Sequence, residues 1–248
     1  MGARRRLDAE LVRRGLCASR HEAASAIDAG RVLVNGALAE KPARLVAPGD
    51  AVTVSGPPPR FVGRGGEKLD AALEHFAIDV AGQRWLDVGA STGGFTDCLL
   101  SRGAAAVVAL DVGHGQLHPT LRNDDRVTVL ERTNVRSTTP ATIGGPVDGI
   151  AVDVSFISLK VIIPVLAELC QPGSPMVLLV KPQFEAGRAE VSRGRGVITD
   201  PAIHRRVQAE IDQALRDGGY AVRGWMDSPV LGGHGNKELL VHAVRGAP

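Results

Sequence analysis

A glycine loop directly after a short apolar run restricts the possible folds of this chain more than any other feature. Residues 85–94 read WLDVGASTGG, and a second apolar run that also ends in an acid, VVALD, follows at residues 107–111. A strand, a glycine loop, a helix and a second strand form the nucleotide-binding part of doubly wound α/β folds. Nicotinamide dinucleotides, nucleoside triphosphates and methyl-donor cofactors all bind such a loop, so other residues must identify the ligand.

The residues around the loop distinguish these ligands. A triphosphate loop ends in Gly-Lys-Ser or Gly-Lys-Thr, whereas Gly93 and Gly94 are followed by Phe95. A dinucleotide loop has the spacing GxGxxG, whereas this loop has the spacing GxxxGG from Gly89 onward. Asp87 stands two residues before Gly89, where a carboxylate would repel a pyrophosphate but would suit an α-amino group and a sulfonium. The pattern therefore favours S-adenosylmethionine.

Asp111 ends the second apolar run, and we expect it to accept hydrogen bonds from the ribose hydroxyls of the cofactor. The alternative is structural: the glycines would form only a tight turn, and Asp111 would cap a helix. The two acids that flank the loop, Asp87 and Asp111, favour a cofactor site.

Short apolar runs alternate with helical patterns through the rest of the chain. The predicted strands are residues 85–88, 107–111, 127–130, 149–153 and 176–180, with two more at Tyr220 to Val222 and Leu239 to Val244. The predicted helices lie near residues 67–76, 94–102, 158–170 and 201–217. This alternation predicts an α/β fold, a doubly wound, Rossmann-like parallel sheet covered on both faces. Ligands bind such folds at the carboxyl ends of the strands.

The first 60 residues differ from the rest in charge and in pattern. They carry 10 Lys and Arg against 6 Asp and Glu, a net charge of +4, which leaves −2 for the remainder of the chain. Two helices, over residues 6–16 and from Ser19 to Gly30, are predicted before two strands, RVLV ahead of an Asn-Gly turn and AVTV after PGD. Three consecutive prolines in SGPPPR favour a stiff, extended joint. We expect a small α+β domain at residues 1–54, a proline-rich linker at 55–61 and the large domain at 62–248.

Composition and patterning argue against several classes of protein. No apolar run reaches the roughly 18 residues of a membrane span, and the arginines at the start are followed by LDAE instead of a secretory signal. The three cysteines lack metal-ligand spacing. We expect a cytoplasmic protein that binds no metal and does not insert in a membrane.

Four charged residues stand at the ends of predicted elements around the expected crevice: Lys68, Asp153, Lys181 and Glu238. Two lysines and two acids suit the removal of a proton from an alcohol, because a neutral amine accepts a hydroxyl proton and the acids hold it in place. The cysteines fall outside the strand ends, where methylation of a pyrimidine carbon needs a nucleophile. Residues 153–156 read DVSF instead of the Asn/Asp-Pro-Pro-aromatic turn of amino-group methylation. The alternative is that both lysines are solvated surface residues.

The motifs RGGEKL, DVGASTGGFT, DVGHGQL, ERTN, SFISL and VKPQFE occur in this order. With the Lys-Asp-Lys-Glu set they resemble the FtsJ-like ribose 2′-O-methyltransferases. Residues 6–54 resemble the alpha-L, or S-four type, RNA-binding domain. From about Arg6 to Val244 the chain resembles the TlyA family, also called the hemolysin A family, which methylates cytidine 2′-hydroxyls in ribosomal RNA.

This resemblance implies roles for particular residues. The catalytic set would be Lys68, Asp153, Lys181 and Glu238. Together with the loop pattern, it implies an S-adenosylmethionine site formed by Asp87, Gly89, Ala90, Ser91, Gly93, Gly94, Asp111, Asn134 and Asp153. Ribosomal RNA or a ribosomal subunit would contact Arg13, Arg14, Arg20 and His21 in the basic domain, with Phe156 beside the target nucleoside. Apart from the resemblance, the basic charge of Arg193 and Arg195 makes their loop a second candidate for RNA contact, and the alternative is a solvated loop.

Two other functions compete with this one. A non-catalytic RNA-binding or ribosome-assembly factor would not need the intact acids and lysines, and a pore-forming hemolysin would need a membrane-length segment. The chain ends soon after Val244, whereas longer members of the family carry a further C-terminal helix and tend to modify both subunit RNAs. We therefore expect large-subunit RNA to be favoured, with small-subunit RNA as the alternative.

Overall fold

The computed structural model describes residues 3–17, 19–28, 30–56 and 59–246, apart from the side chains of His21, Asp28, Arg188 and His234. Contacts divide the chain into two compact units, Met1–Pro59 and Arg60–Pro248. Pro57 and Pro58, in the middle of the proline-rich segment, lie outside the described residues. The stiff joint expected there stays a prediction.

The N-terminal unit packs two helices against short antiparallel strands. Its elements are β1 (Arg5–Arg6), α1 (Leu7–Arg13), α2 (Arg20–Asp28), β2 (Val32–Val34), β3 (Ala37–Leu38), β4 (Leu45–Val46) and β5 (Val52–Val54). β2 lies between β3 and β5, and β1 pairs with β4. Leu7 and Leu11 of α1 are fully buried against Ile27 of α2 and Val32 of β2. The β1–β4 pair was not predicted, because two residues are too few to show an alternating pattern.

The predicted Asn-Gly turn joins β2 to β3. Asn35 has a φ of 54° and Gly36 a φ of 79°. A two-residue hairpin turn of this type requires positive φ at both central residues, and Asn and Gly adopt such angles at little cost. The turn sets the register of the hairpin, in which Val34 pairs with Ala37.

The C-terminal unit is built on a seven-stranded sheet. Its strands are β6 (Arg84–Val88), β7 (Ala106–Leu110), β8 (Val127–Leu130), β9 (Gly149–Val152), β10 (Pro175–Val180), β11 (Tyr220–Asp227) and β12 (Leu239–Arg245), in the order β11-β12-β10-β9-β6-β7-β8. The five strands from β6 to β10 are parallel, which confirms the predicted fold class, whereas β12 is antiparallel to both of its neighbours. β12 departs from the parallel pattern because residues 228–238, which connect it to β11, form only one short 3₁₀ turn instead of a crossover helix.

Helices cover both faces of this sheet. They are α3 (Gly65–His75), α4 (Gly94–Ser101), α5 (Pro119–Arg122), α6 (Leu159–Leu169), α7 (Pro182–Glu185), α8 (Arg188–Arg193) and α9 (Pro201–Asp217). Side chains alternate along β6, so Leu86 packs in a core with α6 and α9, while Trp85 packs in a second core with α3 and α4. With both faces covered, the loops at the strand ends remain as the surface on which a ligand can bind.

Candidate active site

The topology brings the ends of three strands to one edge of the sheet. Asp153 directly follows β9, Lys181 directly follows β10, and Glu238 directly precedes β12. Val180 of β10 pairs with Leu239 of β12. Because β12 runs antiparallel, its amino end lies at the carboxyl ends of the parallel strands. The reversed strand therefore places Glu238 next to the strand that leads into Lys181.

Lys181 is held by an acid and a hydroxyl from the segment after β9. Its Nζ lies 2.5 Å from Oδ1 of Asp153 and donates a hydrogen bond to Oγ of Ser155 at 3.0 Å. The side chains of Lys181 and Asp153 are 11% and 22% exposed. Nζ of Lys181 is therefore held from two sides, by an ion pair with Asp153 and by a hydrogen bond to Ser155.

Lys68 and Glu238 form a second, more enclosed ion pair. Nζ of Lys68, on the first turn of α3, lies 2.5 Å from Oε2 of Glu238, and the two side chains are 10% and 3% exposed. A Cβ atom placed on Gly65, the first residue of α3, would lie 3.6 Å from Oδ2 of Asp153. The start of the helix that carries Lys68 therefore lies next to the Asp153 carboxylate. The structure thus brings the four residues predicted as catalytic to one place.

A cavity of about 590 Å³ lies at the carboxyl ends of β6, β7 and β9. Its volume falls in the range of roughly 300 to 1,000 Å³ that is usual for small-molecule sites. Five of the predicted cofactor residues line it: Gly89, Ser91, Asp111, Asn134 and Asp153. Because Asp153 is shared, the cavity and the Lys181 ion pair form one site. Asp87, Ala90, Gly93 and Gly94 are not among the lining residues.

Asp111 fastens the glycine loop to the loop after β7. Its Oδ2 accepts a hydrogen bond from the backbone N–H of Ser91 at 2.7 Å, and its Oδ1 accepts one from the N–H of Gly113 at 2.6 Å. A carboxylate offers about four lone-pair sites, so two remain after these bonds. Those two suit a pair of ribose hydroxyls.

Gly93 serves the packing of the loop instead of lining the cavity. It has a φ of 99°, and a Cβ atom on it would lie 2.3 Å from Cδ1 of Leu121. Any other residue at this position would be strained and would also displace a buried leucine. The glycine spacing that suggested a nucleotide loop thus has a packing cause at this position.

Asp87 is fully buried, and its Oδ2 accepts a hydrogen bond from Oγ1 of Thr96 at 2.6 Å. Burial raises the pKa of Asp87 to about 7, and the nearby Asp153 carboxylate adds to the rise. Its other oxygen, Oδ1, has no hydrogen-bond partner among the described residues. The acid therefore anchors α4 through Thr96, and its predicted contact with the cofactor's amino group stays a prediction.

The groups around the cavity fit S-adenosylmethionine. Asp111 offers acceptors for ribose hydroxyls, and Asn134, whose Oδ1 accepts from the N–H of Arg136 at 3.1 Å, presents a side-chain amide. Leu110, Val112 and Ile157 give the apolar wall that an adenine ring needs. These groups and the volume of the cavity therefore match the nucleoside part of the cofactor.

An exposed aromatic pair stands at the rim of the cavity. Phe156 is 91% exposed and has a φ of 65°, which is rare for a bulky residue. The centroid of its ring lies 5.0 Å from that of Phe184, and Nζ of Lys181 lies 6.0 Å from the Phe184 ring. An aromatic surface is thus presented to solvent beside the lysine.

Comparison with known proteins identifies the family of this chain. Residues 61–245 match the FtsJ-like methyltransferase family, and residues 5–52 match the S4 domain. The TlyA 16S/23S rRNA (cytidine-2′-O)-methyltransferase of Mycobacterium tuberculosis is 51% identical over 242 residues, which cover 97% of this chain and 90% of that protein. This chain belongs to the TlyA family of FtsJ-like methyltransferases.

Two further relatives agree with this assignment. Hemolysin A of Brachyspira hyodysenteriae is 39% identical over 96% of this chain and 99% of its own length. A solved structure from Streptococcus thermophilus, which carries a provisional hemolysin name, matches with a TM-score of 0.79 and 40% identity over 98% of this chain and 89% of that one. Within the part of the chain that the structure describes, no helix has the length and apolar character to cross a membrane.

Sequence reasoning missed a buried contact that supports the TlyA site. Glu185, the last residue of α7, accepts hydrogen bonds from Oγ of Ser158 at 2.5 Å and from the N–H of Leu159 at 2.8 Å. Burial raises the pKa of Glu185. The contact ties the turn after Lys181 to the start of α6. SFISL and VKPQFE contain these residues, but no spacing rule indicates a pair 27 residues apart.

The predicted RNA-binding arginines of the S4 domain differ in exposure. Arg13 and Arg20 are 50% and 60% exposed, and they pair with Glu10 and Asp8. The side chain of Arg14 is 20% exposed and donates to Glu10 and to the carbonyl oxygens of Pro48 and Asp50. Arg14 therefore serves the fold of the domain, since its guanidinium is occupied inside it. The side chain of His21 lies outside the described residues.

The predicted basic loop is attached to the segment that carries Glu238. Arg193 and Arg195 are exposed at the end of α8 and just beyond it. The buried side chain of Asn236 donates to the carbonyl oxygen of Gly196 at 2.9 Å and accepts from the N–H of Ile198 at 3.0 Å. The two arginines thus lie in a loop whose end is fixed two residues from Glu238.

Proposed function

We propose that this TlyA-family protein transfers a methyl group from S-adenosylmethionine to the 2′-hydroxyl of a cytidine in ribosomal RNA. The observation that carries the proposal is the Lys181–Asp153 ion pair at the wall of a nucleoside-sized cavity. When bound, the cofactor supplies an electrophilic methyl group on a sulfonium centre. Gly89, Ser91, Asp111, Asn134 and Asp153 are the residues that would hold it.

Lys181 is the proposed base. With the cofactor bound, the neutral amine of Lys181 would accept the proton of the 2′-hydroxyl as its oxygen takes the methyl group from the sulfonium sulfur, and S-adenosylhomocysteine would leave. Asp153 and Ser155 hold Nζ in place at 2.5 and 3.0 Å. After the transfer the proton is on Lys181, next to a carboxylate that stabilises the resulting charge.

Lys68 and Glu238 have a supporting role in this proposal. Their pair is almost fully enclosed, so it would fix the start of α3, whose Gly65 lies beside Asp153, and would add a balanced pair of charges to the site. A fixed arrangement of charges stabilises a developing charge without having to reorganise during the reaction.

The substrate class follows from the S4 domain and from the chemistry. The 2′-hydroxyl is the group by which a protein distinguishes RNA from DNA. An S4 domain that binds RNA and a base that deprotonates this hydroxyl would therefore act in the same reaction. Phe156, exposed at the cavity rim, would contact the target nucleoside. The M. tuberculosis relative, 51% identical, is named for both ribosomal RNAs. The proposal therefore includes both subunit RNAs, and experiment must decide between them.

Mapping the transferred methyl group tests the proposal. The protein is incubated with labelled S-adenosylmethionine and with large or small ribosomal subunits that lack the modification, and the labelled nucleoside is identified after digestion. We expect 2′-O-methylcytidine from the wild type and, within the same short reaction time, at least about a hundredfold less from Lys181→Ala. A label on a base, or no label from a folded protein that binds the cofactor, would contradict the proposal, and the latter would favour a non-catalytic RNA-binding factor.

A further inference from the structure

Asp8 on α1 receives two arginines at one carboxylate. Nη2 of Arg6 and Nη2 of Arg20 lie 2.9 and 2.8 Å from the same oxygen, Oδ2. Nε of Arg6 and the N–H of Ala9 donate to Oδ1 at 3.1 and 2.8 Å. Two guanidinium groups from different parts of the chain are therefore brought together by one acid.

The burial of the acid and the exposure of the arginines make this cluster distinctive. Asp8 is 4% exposed, whereas the side chains of Arg6 and Arg20 are 48% and 60% exposed. Because both Nη2 atoms bind one oxygen, they lie no more than about 6 Å apart. Two guanidinium groups at that separation can bind the oxygens of one phosphate group. The Arg6 guanidinium holds the pKa of Asp8 well below its usual range, so the acid is ionised at neutral pH.

Glu10, two residues further along α1, provides the contrast within the same domain. It also pairs with two arginines, but one of them, Arg14, is 20% exposed and is bound to carbonyl oxygens of the domain. One guanidinium group of the Glu10 cluster is thus already hydrogen-bonded within the domain. The Asp8 cluster presents two exposed ones.

We propose that Asp8 is a positioning residue that holds Arg6 and Arg20 together as a phosphate clamp for RNA. The inference rests on the proposed function in that RNA is the partner. It adds Arg6 to the predicted RNA contacts and assigns Asp8 a role in binding a polyanion that its own charge repels.

The two effects of Asp8 on RNA binding have opposite signs. Its negative charge opposes the approach of phosphate. Its hydrogen bonds restrict two long side chains before RNA arrives, and each ordered side chain reduces the entropy lost on binding. If positioning is the larger effect, removing the negative charge must weaken RNA binding. If the repulsion between the Asp8 charge and phosphate is the larger effect, the same change must strengthen RNA binding.

The test compares Asp8→Asn with Glu40→Gln in the full chain. Each variant removes one negative charge from the S4 domain, but only Asp8→Asn replaces one of the two carboxylate oxygens that hold Arg6, Arg20 and the N–H of Ala9 with an amide NH2 group, since Glu40 is an exposed acid elsewhere in the domain. Affinity for labelled, unmethylated ribosomal subunits is measured from low to high salt. We expect Asp8→Asn to weaken binding by about threefold to tenfold and to lower the slope of log affinity against log salt by about one. Glu40→Gln should bind equally well or slightly more tightly.

Two further variants keep the test decisive if Asp8→Asn folds poorly. Arg20→Lys keeps the positive charge but loses the planar guanidinium group. If Arg6 and Arg20 bind one phosphate together, this variant should bind RNA more weakly, whereas if only the net charge of the domain matters, its RNA affinity should not change. In a background of Arg6→Ala and Arg20→Ala, Asp8→Asn should no longer weaken RNA binding and should leave it unchanged or slightly tighter, because only the repulsive charge of the acid is then removed.

The outcomes separate this inference from the proposed function. Tighter binding by Asp8→Asn, equal to that by Glu40→Gln, would overturn the positioning role and leave RNA as the partner. Normal binding by Arg6→Ala with Arg20→Ala would overturn both the clamp and the RNA-docking role of this surface. Methyl transfer at saturating protein, mapped as above, tests the enzymatic proposal independently of either result.

Discussion

The two units of this protein both hold cations on buried or partly buried acids, but they expose those cations to very different degrees. In the C-terminal unit Lys68 and Lys181 are 10% and 11% exposed beside their acids. In the N-terminal unit Arg6 and Arg20 are 48% and 60% exposed on a buried Asp8. The side chains of the acids Asp8, Glu238 and Asp153 are 6%, 3% and 22% exposed, so the larger difference is in the exposure of the cations.

This difference indicates two kinds of function. A cation enclosed beside a cavity acts on one atom, in surroundings where charges interact strongly. A cation exposed on a surface acts on a polyanion, through a sum of weaker contacts and the release of counterions. The enclosed lysine should therefore determine the rate of reaction, and the exposed arginines should determine affinity.

Lys181→Ala should change turnover most. We expect cofactor and RNA to bind almost normally and the single-turnover rate to fall at least about a hundredfold, the usual scale for the loss of a general base. Calorimetry for the cofactor, subunit binding and a single-turnover assay on one preparation measure the three quantities. A mutant that reacts normally once saturated would show that Lys181 binds phosphate instead.

Lys181→Arg is the matched control for charge. A guanidinium stays protonated in proteins and cannot accept the hydroxyl proton, so this variant should be as slow as the alanine variant. Lys68→Ala, Asp153→Ala and Glu238→Ala should also slow turnover, with effects far from additive with Lys181→Ala if the four act as one unit. Recovery of the rate in Lys181→Arg would exclude the proposed base.

Asp111→Ala should weaken the cofactor site. It removes hydrogen bonds to a charged acceptor, worth about 1.5 to 3 kcal/mol, or roughly tenfold to a hundredfold in affinity. The variant also loses the ties to Ser91 and Gly113, so its fold must be checked by tryptophan fluorescence. Unchanged S-adenosylmethionine binding by a folded variant would remove Asp111 from the site.

Arg13 and Arg14 are neighbours at the end of α1, but we expect their alanine variants to have different effects. One should weaken RNA binding and the other should destabilise the N-terminal unit. Arg14→Ala leaves the carbonyl oxygens of Pro48 and Asp50 without their donor, and we expect it to destabilise the N-terminal unit by about 1.5 to 3 kcal/mol. Arg13→Ala should cost little stability, because its side chain is half exposed, but should lower the salt slope of RNA binding by about one. Hydrogen exchange of the α1 amides measures the first effect. Equal protection of α1 in both variants would contradict the distinction.

A pH dependence of stability should come from Asp87. Because burial raises its pKa to about 7, the folded state binds more protons than the unfolded state between about pH 4 and pH 7. This contribution therefore destabilises the protein as pH rises through that window and is constant above it. Asp87→Asn should remove it. Denaturation followed by tryptophan fluorescence at pH 5 and pH 8 reports on the C-terminal unit, which contains Trp85 and Trp225. The same pH response in both proteins would contradict the assignment.

The sequence predicted those helices and strands whose apolar residues recur at a regular spacing. The strands from β6 to β10 and the four long helices show a period, because one side of each element is buried over several residues. The short helices α5 and α7 have four residues each, too few to show a period. The sequence also could not predict that β12 is antiparallel to its neighbours, since an apolar run has the same pattern in a parallel and in an antiparallel strand.

The candidate site was predictable where it depends on strand ends. Asp153 and Lys181 could be placed together because the carboxyl ends of parallel strands meet at one edge. The structural role of Arg14 was not predictable, because arginine patterns do not show which guanidinium faces a carbonyl oxygen of its own domain. Asp87 shows the same difficulty, since the pattern of a strand does not show that an acid near its end is fully buried, as this one is.

A crossed comparison of Lys181→Ala and Arg20→Ala tests the division between rate and affinity. Each full-length variant is titrated against unmethylated ribosomal subunits with labelled S-adenosylmethionine, and the single-turnover rate is followed from low protein concentration to saturation. We predict that Arg20→Ala needs more protein to reach saturation but then reacts at the wild-type rate, whereas Lys181→Ala saturates at the wild-type concentration and reacts at least about a hundredfold more slowly. A slow saturated rate for Arg20→Ala, or a wild-type saturated rate for Lys181→Ala, would contradict the account.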